Sequence, residues 1–204
     1  MNTQLLSLIE RQRQLMREDA PDLANAVANE VWDKFEINVE ELTADGYMFD
    51  MATSTQMALS STLALNYDEA CERRVLGFFE RQGNELSESS TSLACFDGAQ
   101  VDLAGVRKGL KLRRRAEELI GQAIERAKPG LIGMLFLSSD PCSDAWEREH
   151  SDNAKRLRRT LLELRGPIVY MIREELSAVI QVGRLAYIEM LDGLPGKLSD
   201  SKPT

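Results

Sequence analysis

Apolar residues recur every three or four positions along most of this chain, the spacing of helices that bury one face. The pattern is strongest between Gly166 and Asp192. Pro167 holds the first-turn position, with Gly166 before it and Gly193 beyond the end. Val169, Ile172, Leu176, Val179, Gly183, Ala186 and Met190 alternate three and four apart over three heptads and form a seam. Ile168, Ile180, Tyr187 and Leu191 widen it into a face that needs a core or a partner.

The same period predicts the helices before it. A first helix covers Thr3 to Glu18, with Leu5, Leu8, Gln12 and Leu15 as its stripe and Ile9 and Met16 beside them. A second runs from Pro21 to Thr43 on Leu23, Val27, Val31, Phe35, Val39 and Leu42. Tyr47 to Asn66 is rich in Ser, Thr, Ala and Met. It reads as a helix enclosed on most sides, whose hydroxyls bond to their own carbonyls, or alternatively as a mobile Ser/Thr segment. Asn66 to Glu69 resembles a capping box, opening a helix that turns Cys71, Val75, Phe78 and Phe79 inward and stops at Gly83.

Residues 84–102 break the pattern. They read as a loop and internal boundary, or as a small hairpin around Asp97-Gly98. A long helix is then expected from Asp102 to Lys128 and a short buried element over Leu131–Ser138. A helix capped by Ser143 follows, reaching Arg165. The fold class expected is all-α, a bundle-like array of about six or seven helices around the long C-terminal one. Residues 1–192 would make a single domain, and residues 193–204 a flexible tail.

Composition agrees: 43% hydrophobic, 28% charged and only 6% aromatic, with few of the residues that sheets favour. No apolar run is long enough to span a bilayer, no secretory signal opens the chain, and an odd count of 3 cysteines fits a reducing compartment. The expectation is a cytoplasmic protein without membrane contact. The net charge of −8 is unevenly spread. Residues 1–104 carry 7 Lys/Arg against 19 Asp/Glu, whereas residues 105–204 carry 18 against 14. Either the two halves neutralise each other or one patch faces an external polyanion.

Candidate chemistry is sparse. His150 is the one histidine, so Glu147-Arg-Glu-His150 cannot supply the paired motif of a dimetal bundle. The three cysteines and His150 contain no Cys-x-x-Cys, and neither a nucleophile elbow nor a phosphate loop is present. No metal, cofactor or catalytic residue is therefore expected. What remains is charge. Six basic residues fall within Arg107–Arg115, and Lys155-Arg156-Leu-Arg158-Arg159 forms a second cluster. Arg107, Lys108, Lys111, Arg114, Arg115, Lys155, Arg156 and Arg159 are the candidate binding residues, for a protein partner or, alternatively, for nucleic acid. Gly183, Ala186, Tyr187 and Met190 are the candidate seam of a homodimer. The functional expectation is a non-catalytic interaction or regulatory protein.

Overall fold

The computed structural model describes residues 3–18, 20–44, 52–89, 109–128 and 144–200. Among them every position is helical except Lys128 and the turn at Glu163 and Leu164, so the protein is all-α. The elements are α1 (Thr3–Glu18), α2 (Ala20–Ala44) and α3 (Ala52–Ala70), a π-helical stretch Cys71–Leu76, then α4 (Gly77–Ser89), α5 (Gly109–Ala127), α6 (Asp144–Leu162) and α7 (Arg165–Asp200).

The all-α expectation holds, but the expected divisions between helices do not, because the breaks among the described residues fall elsewhere. Asn66 does not cap a new helix. It lies inside an unbroken helical run from Ala52 to Ser89, and its amide donates to Asn38 Oδ1 at 3.0 Å. Gly83 is buried within α4 rather than ending it, so residues 84–89 are helical where a loop was expected. Gly193 likewise does not stop α7, which continues to Asp200 into the expected tail. Residues 90–108, the short element over Leu131–Ser138 and the cap at Ser143 lie outside the described residues.

By its internal contacts the chain groups into two compact units. One comprises Met1–Ala28, Asp68–Lys108 and Arg173–Thr204, the other Asn29–Tyr67 and Gly109–Ile172. In the first unit the core is built from Leu5, Ile9 and Met16 of α1, Val75, Phe79 and Leu86, and Leu176, Ile180, Tyr187 and Leu191 of α7. Phe79 and Tyr187 stack obliquely with ring centroids 6.2 Å apart. The second unit buries Trp32, Phe35 and Val39 of α2, Leu59, Leu63 and Tyr67 of α3, Leu112, Ile120 and Ile124 of α5, and Leu157 and Leu161 of α6. Burying a side chain of this size is worth about 1.5–3 kcal/mol.

The buried line of α7 follows the expected seam only in part: Ile172, Leu176 and Gly183 are buried, together with Ile168, Ile180, Tyr187 and Leu191, which were expected to widen it. On α7 the buried residues are Ile168, Met171, Ile172, Leu176, Ile180, Gly183, Tyr187, Leu191 and Leu194, while Val169, Val179, Ala186 and Met190 are half-buried at the edge. Leu42, expected inside, is 38% exposed. The helix α3 is not enclosed on most sides: Thr55, Leu59, Ser60, Leu63 and Tyr67 are buried, whereas Met57, Ala58 and Leu65 face outward. Its hydroxyls do bond back to the helix, Ser61 to Met57 O at 2.6 Å and Thr62 to Ala58 O at 2.9 Å.

Candidate functional site

The basic clusters of the sequence fall on two helices of the second unit that pack together, α5 and α6. Their apolar stripes dictate where the charges go. Leu112, Ala116, Ile120 and Ala123 turn inward on α5, which leaves Arg114 and Arg115 exposed. Leu157 and Leu161 do the same on α6, leaving Lys155, Arg156 and Arg159 exposed. Arg107 and Lys108 lie outside the described residues, as does the side chain of Lys111, whose backbone belongs to α5.

Acids sit within the same surface. Asp152 Oδ1 is 3.7 Å from Lys155 Nζ, one helical turn away. Arg158 of α6 forms an ion pair with Glu40 of α2. That pair joins the basic second half of the sequence to its acidic first half, as the neutralisation reading requires, but it engages one arginine of the cluster. Exposed pairs of this kind contribute about 0–1 kcal/mol and leave the surface free to exchange partners.

Beside this face lies an open groove of about 740 Å³, lined by Gln56 of α3 and by Glu118, Gly121, Gln122, Glu125 and Arg126 of α5. Gln56 Nε2 donates to Glu117 O at 2.8 Å. This explains a glycine in the middle of a helix: a Cβ on Gly121 would come within 2.6 Å of that amide nitrogen. Sequence reading missed the pair. Its only signal was an interior glycine on a helix where alanine would be better by about 1 kcal/mol.

The first unit holds a buried polar chain. Gln12 is fully buried on α1. Its Nε2 donates to Gln82 O at 2.8 Å and lies 3.5 Å from Glu85 Oε2, and its Oε1 accepts the Tyr187 hydroxyl at 2.8 Å. Burial, and secondarily the charge of Glu85, push the Tyr187 hydroxyl above its ordinary pKa. It is therefore a neutral donor across the physiological range. Around the chain, Arg11 pairs with Glu85 at 3.2 Å and Arg13 with Asp192 at 2.5 Å. The hydrogen bond to Glu10 raises the Arg13 pKa, burial works against it, and the hydrogen bond and charge of Asp192 add to the rise.

The expected dimer seam is thus divided by the structure. Tyr187 and Gly183 are buried within the single chain, and Ala186 and Met190 are half-buried. The hydroxyl of Tyr187 is taken by Gln12.

Among the described residues no group of three or more His, Cys, Asp and Glu could hold a metal ion, and no described helix is long and apolar enough to cross a membrane. Comparison with family models, with characterised proteins and with solved structures finds no match.

Proposed function

We propose that this is a non-catalytic cytoplasmic interaction protein that self-associates and binds a macromolecular partner through the charged face of α5 and α6. The observation that carries the reading is the exposure of Arg114, Arg115, Lys155, Arg156 and Arg159 on two helices packed together. A rigid helical pair presents these cations with little ordering cost, which favours binding over a mobile tail of the same composition. Exposed Glu118 and Asp152 share the surface, so its sign is mixed. A mixed surface suits a protein partner of complementary pattern, because a phosphate backbone would meet those carboxylates unfavourably.

Nucleic acid is the second reading, supported by six basic residues within nine positions of the sequence. Titration of duplex DNA into the protein at two salt concentrations separates the two. Under the protein reading, affinity stays in the non-specific range. Under the nucleic-acid reading, affinity falls steeply with salt, and replacing Arg115, Lys155, Arg156 and Arg159 with Gln flattens the slope by about one unit per lost phosphate contact. Cross-linking in the native cell, with the parent and the Gln variant side by side, tests the protein partner. A partner captured equally by both does not use this face.

A further inference from the structure

We propose that the π-helical stretch Cys71–Leu76 is a register device. It holds one residue more than an α-helix through the same core would take, and that residue aims α4 so that Phe79 meets Tyr187 and Gln82 and Glu85 meet Gln12.

A π turn closes its hydrogen bonds five residues apart instead of four, so it accommodates about one additional residue. The local sequence supplies no ordinary reason for the change, since no Gly or Pro occurs between Ala52 and Leu76. The reason lies in the packing.

Within the first unit this helical run buries Ala70, Cys71, Val75, Phe79, Gly83 and Leu86. Counted from Ala70, the last five stand at +1, +5, +9, +13 and +16. An α-helix turns about 100° per residue, so on an unbroken one Val75, Phe79 and Leu86 would point about 140–180° away from Ala70. One buried side could not take them all. With a single residue removed between Cys71 and Val75, the series becomes +1, +4, +8, +12 and +15. That is the spacing of one apolar face about 120° wide. The additional residue is carried on the outside, where Glu72, Arg73 and Arg74 are all exposed.

The register decides what α4 offers to its neighbours. Phe79 stacks on Tyr187 at 6.2 Å, Gln82 O accepts from Gln12 at 2.8 Å, and Glu85 pairs with Arg11 at 3.2 Å. Were the stretch to become α-helical with its full sequence, α4 would turn by about 100°, one residue. Arg74, Phe78, Gln82 and Glu85 would then take the inward places of Val75, Phe79, Gly83 and Leu86. Burying a guanidinium and a carboxylate there costs far more than giving up α-helical bonds over six residues. The π stretch is thus held by the core on both sides of it, and α1 finds its polar anchors on α4 only while it is held.

Deletion of Glu72 from the full chain tests the device. The stretch should become α-helical with α4 unmoved, leaving Tm within about 3 °C of the parent. Deletion of Arg81, equally exposed but inside α4, leaves Phe79 in place and turns Gly83 and Leu86 out of the core. It should lower Tm by about 10 °C or more. In hydrogen exchange, the Val75 and Leu76 amides should be protected at least about tenfold better in the Glu72 deletion than in the parent. Tyr187→Phe should lower Tm as much in the Glu72 deletion as in the parent, because Gln82 still meets Gln12. A Glu72 deletion as damaging as that of Arg81 overturns the proposal. So does exchange at Val75 and Leu76 that the deletion leaves unchanged. A stable Glu72 deletion in which Tyr187→Phe has no effect overturns it as well, since α4 would have lost its register.

Discussion

The hydroxyl of Tyr187 donates to Oε1 of Gln12 at 2.8 Å, and both residues are fully buried. The bond joins α1 to α7 across 175 residues of sequence, and the amide continues it to Gln82 O on α4. A buried amide with both its oxygen and its nitrogen bonded costs little. The same amide with one bond removed carries an unsatisfied group. Tyr187→Phe should therefore destabilise the protein by about 1–3 kcal/mol, read from urea unfolding at pH 7. Adding Gln12→Leu should recover part of the loss, since no orphaned polar group then remains. A double variant as unstable as the sum of the two singles would show that the hydrogen bond carries no coupling.

The same bond has a pH consequence. The Tyr187 hydroxyl titrates above its ordinary value when folded. Its contribution is fully present below the unfolded tyrosine pKa of about 10 and is lost as pH rises beyond it, by up to about 1.4 kcal/mol per pH unit. Unfolding free energies between pH 8 and 11 should fall less steeply in Tyr187→Phe than in the parent. Parallel curves would mean that another group governs the alkaline limb.

Gly121→Ala sets two effects against each other. The new methyl group displaces the Gln56 amide, the far end of a flexible side chain, and breaks its bond to Glu117 O. That loss, about 1 kcal/mol, is offset by about 1 kcal/mol of helix propensity. The net change in stability should be small. In a Gln56→Ala background nothing remains to displace, and Gly121→Ala should then stabilise by about 1 kcal/mol. Equal effects in both backgrounds would refute the Gln56–Gly121 relationship.

On the basic face, replacing exposed Lys155, Arg156 and Arg159 with Gln should move stability by no more than about 0.5 kcal/mol per position. A larger fall on thermal or urea unfolding would show that these residues neutralise the acidic half of the chain rather than wait for a partner.

Most helices were legible because apolar period is a local property. Ile9, Val31, Phe35, Ile120, Ile124 and Leu161 are buried and lie at positions three or four apart in the sequence pattern. The exposure of Arg114 and Arg115 has the same local cause: with Leu112 and Ala116 turned inward, these two side chains turn out. Even the back-bonded hydroxyls of Ser61 and Thr62 followed from the composition of α3.

Helix ends and the choice of face were not local. Gly83 and Gly193 are ordinary stop signals, worth about 1 kcal/mol each, and packing of the surrounding helix outweighs that. On α7 the apolar face is so wide that several adjacent lines satisfy the period. Only its neighbours decide that Gly183 and Tyr187 face inward while Ala186 and Met190 stay at the edge. Gln12 could be placed on the inner stripe of α1 from sequence, but its partners could not, because Tyr187 and Gln82 lie 175 and 70 residues away. The glycine at 121 was visible and its reason was not, since the Gln56 amide that fills the space arrives from another helix. Periodicity along one chain settles which side of a helix is apolar; which neighbour covers that side, and which polar group is buried with it, is settled by contacts between residues far apart in the chain.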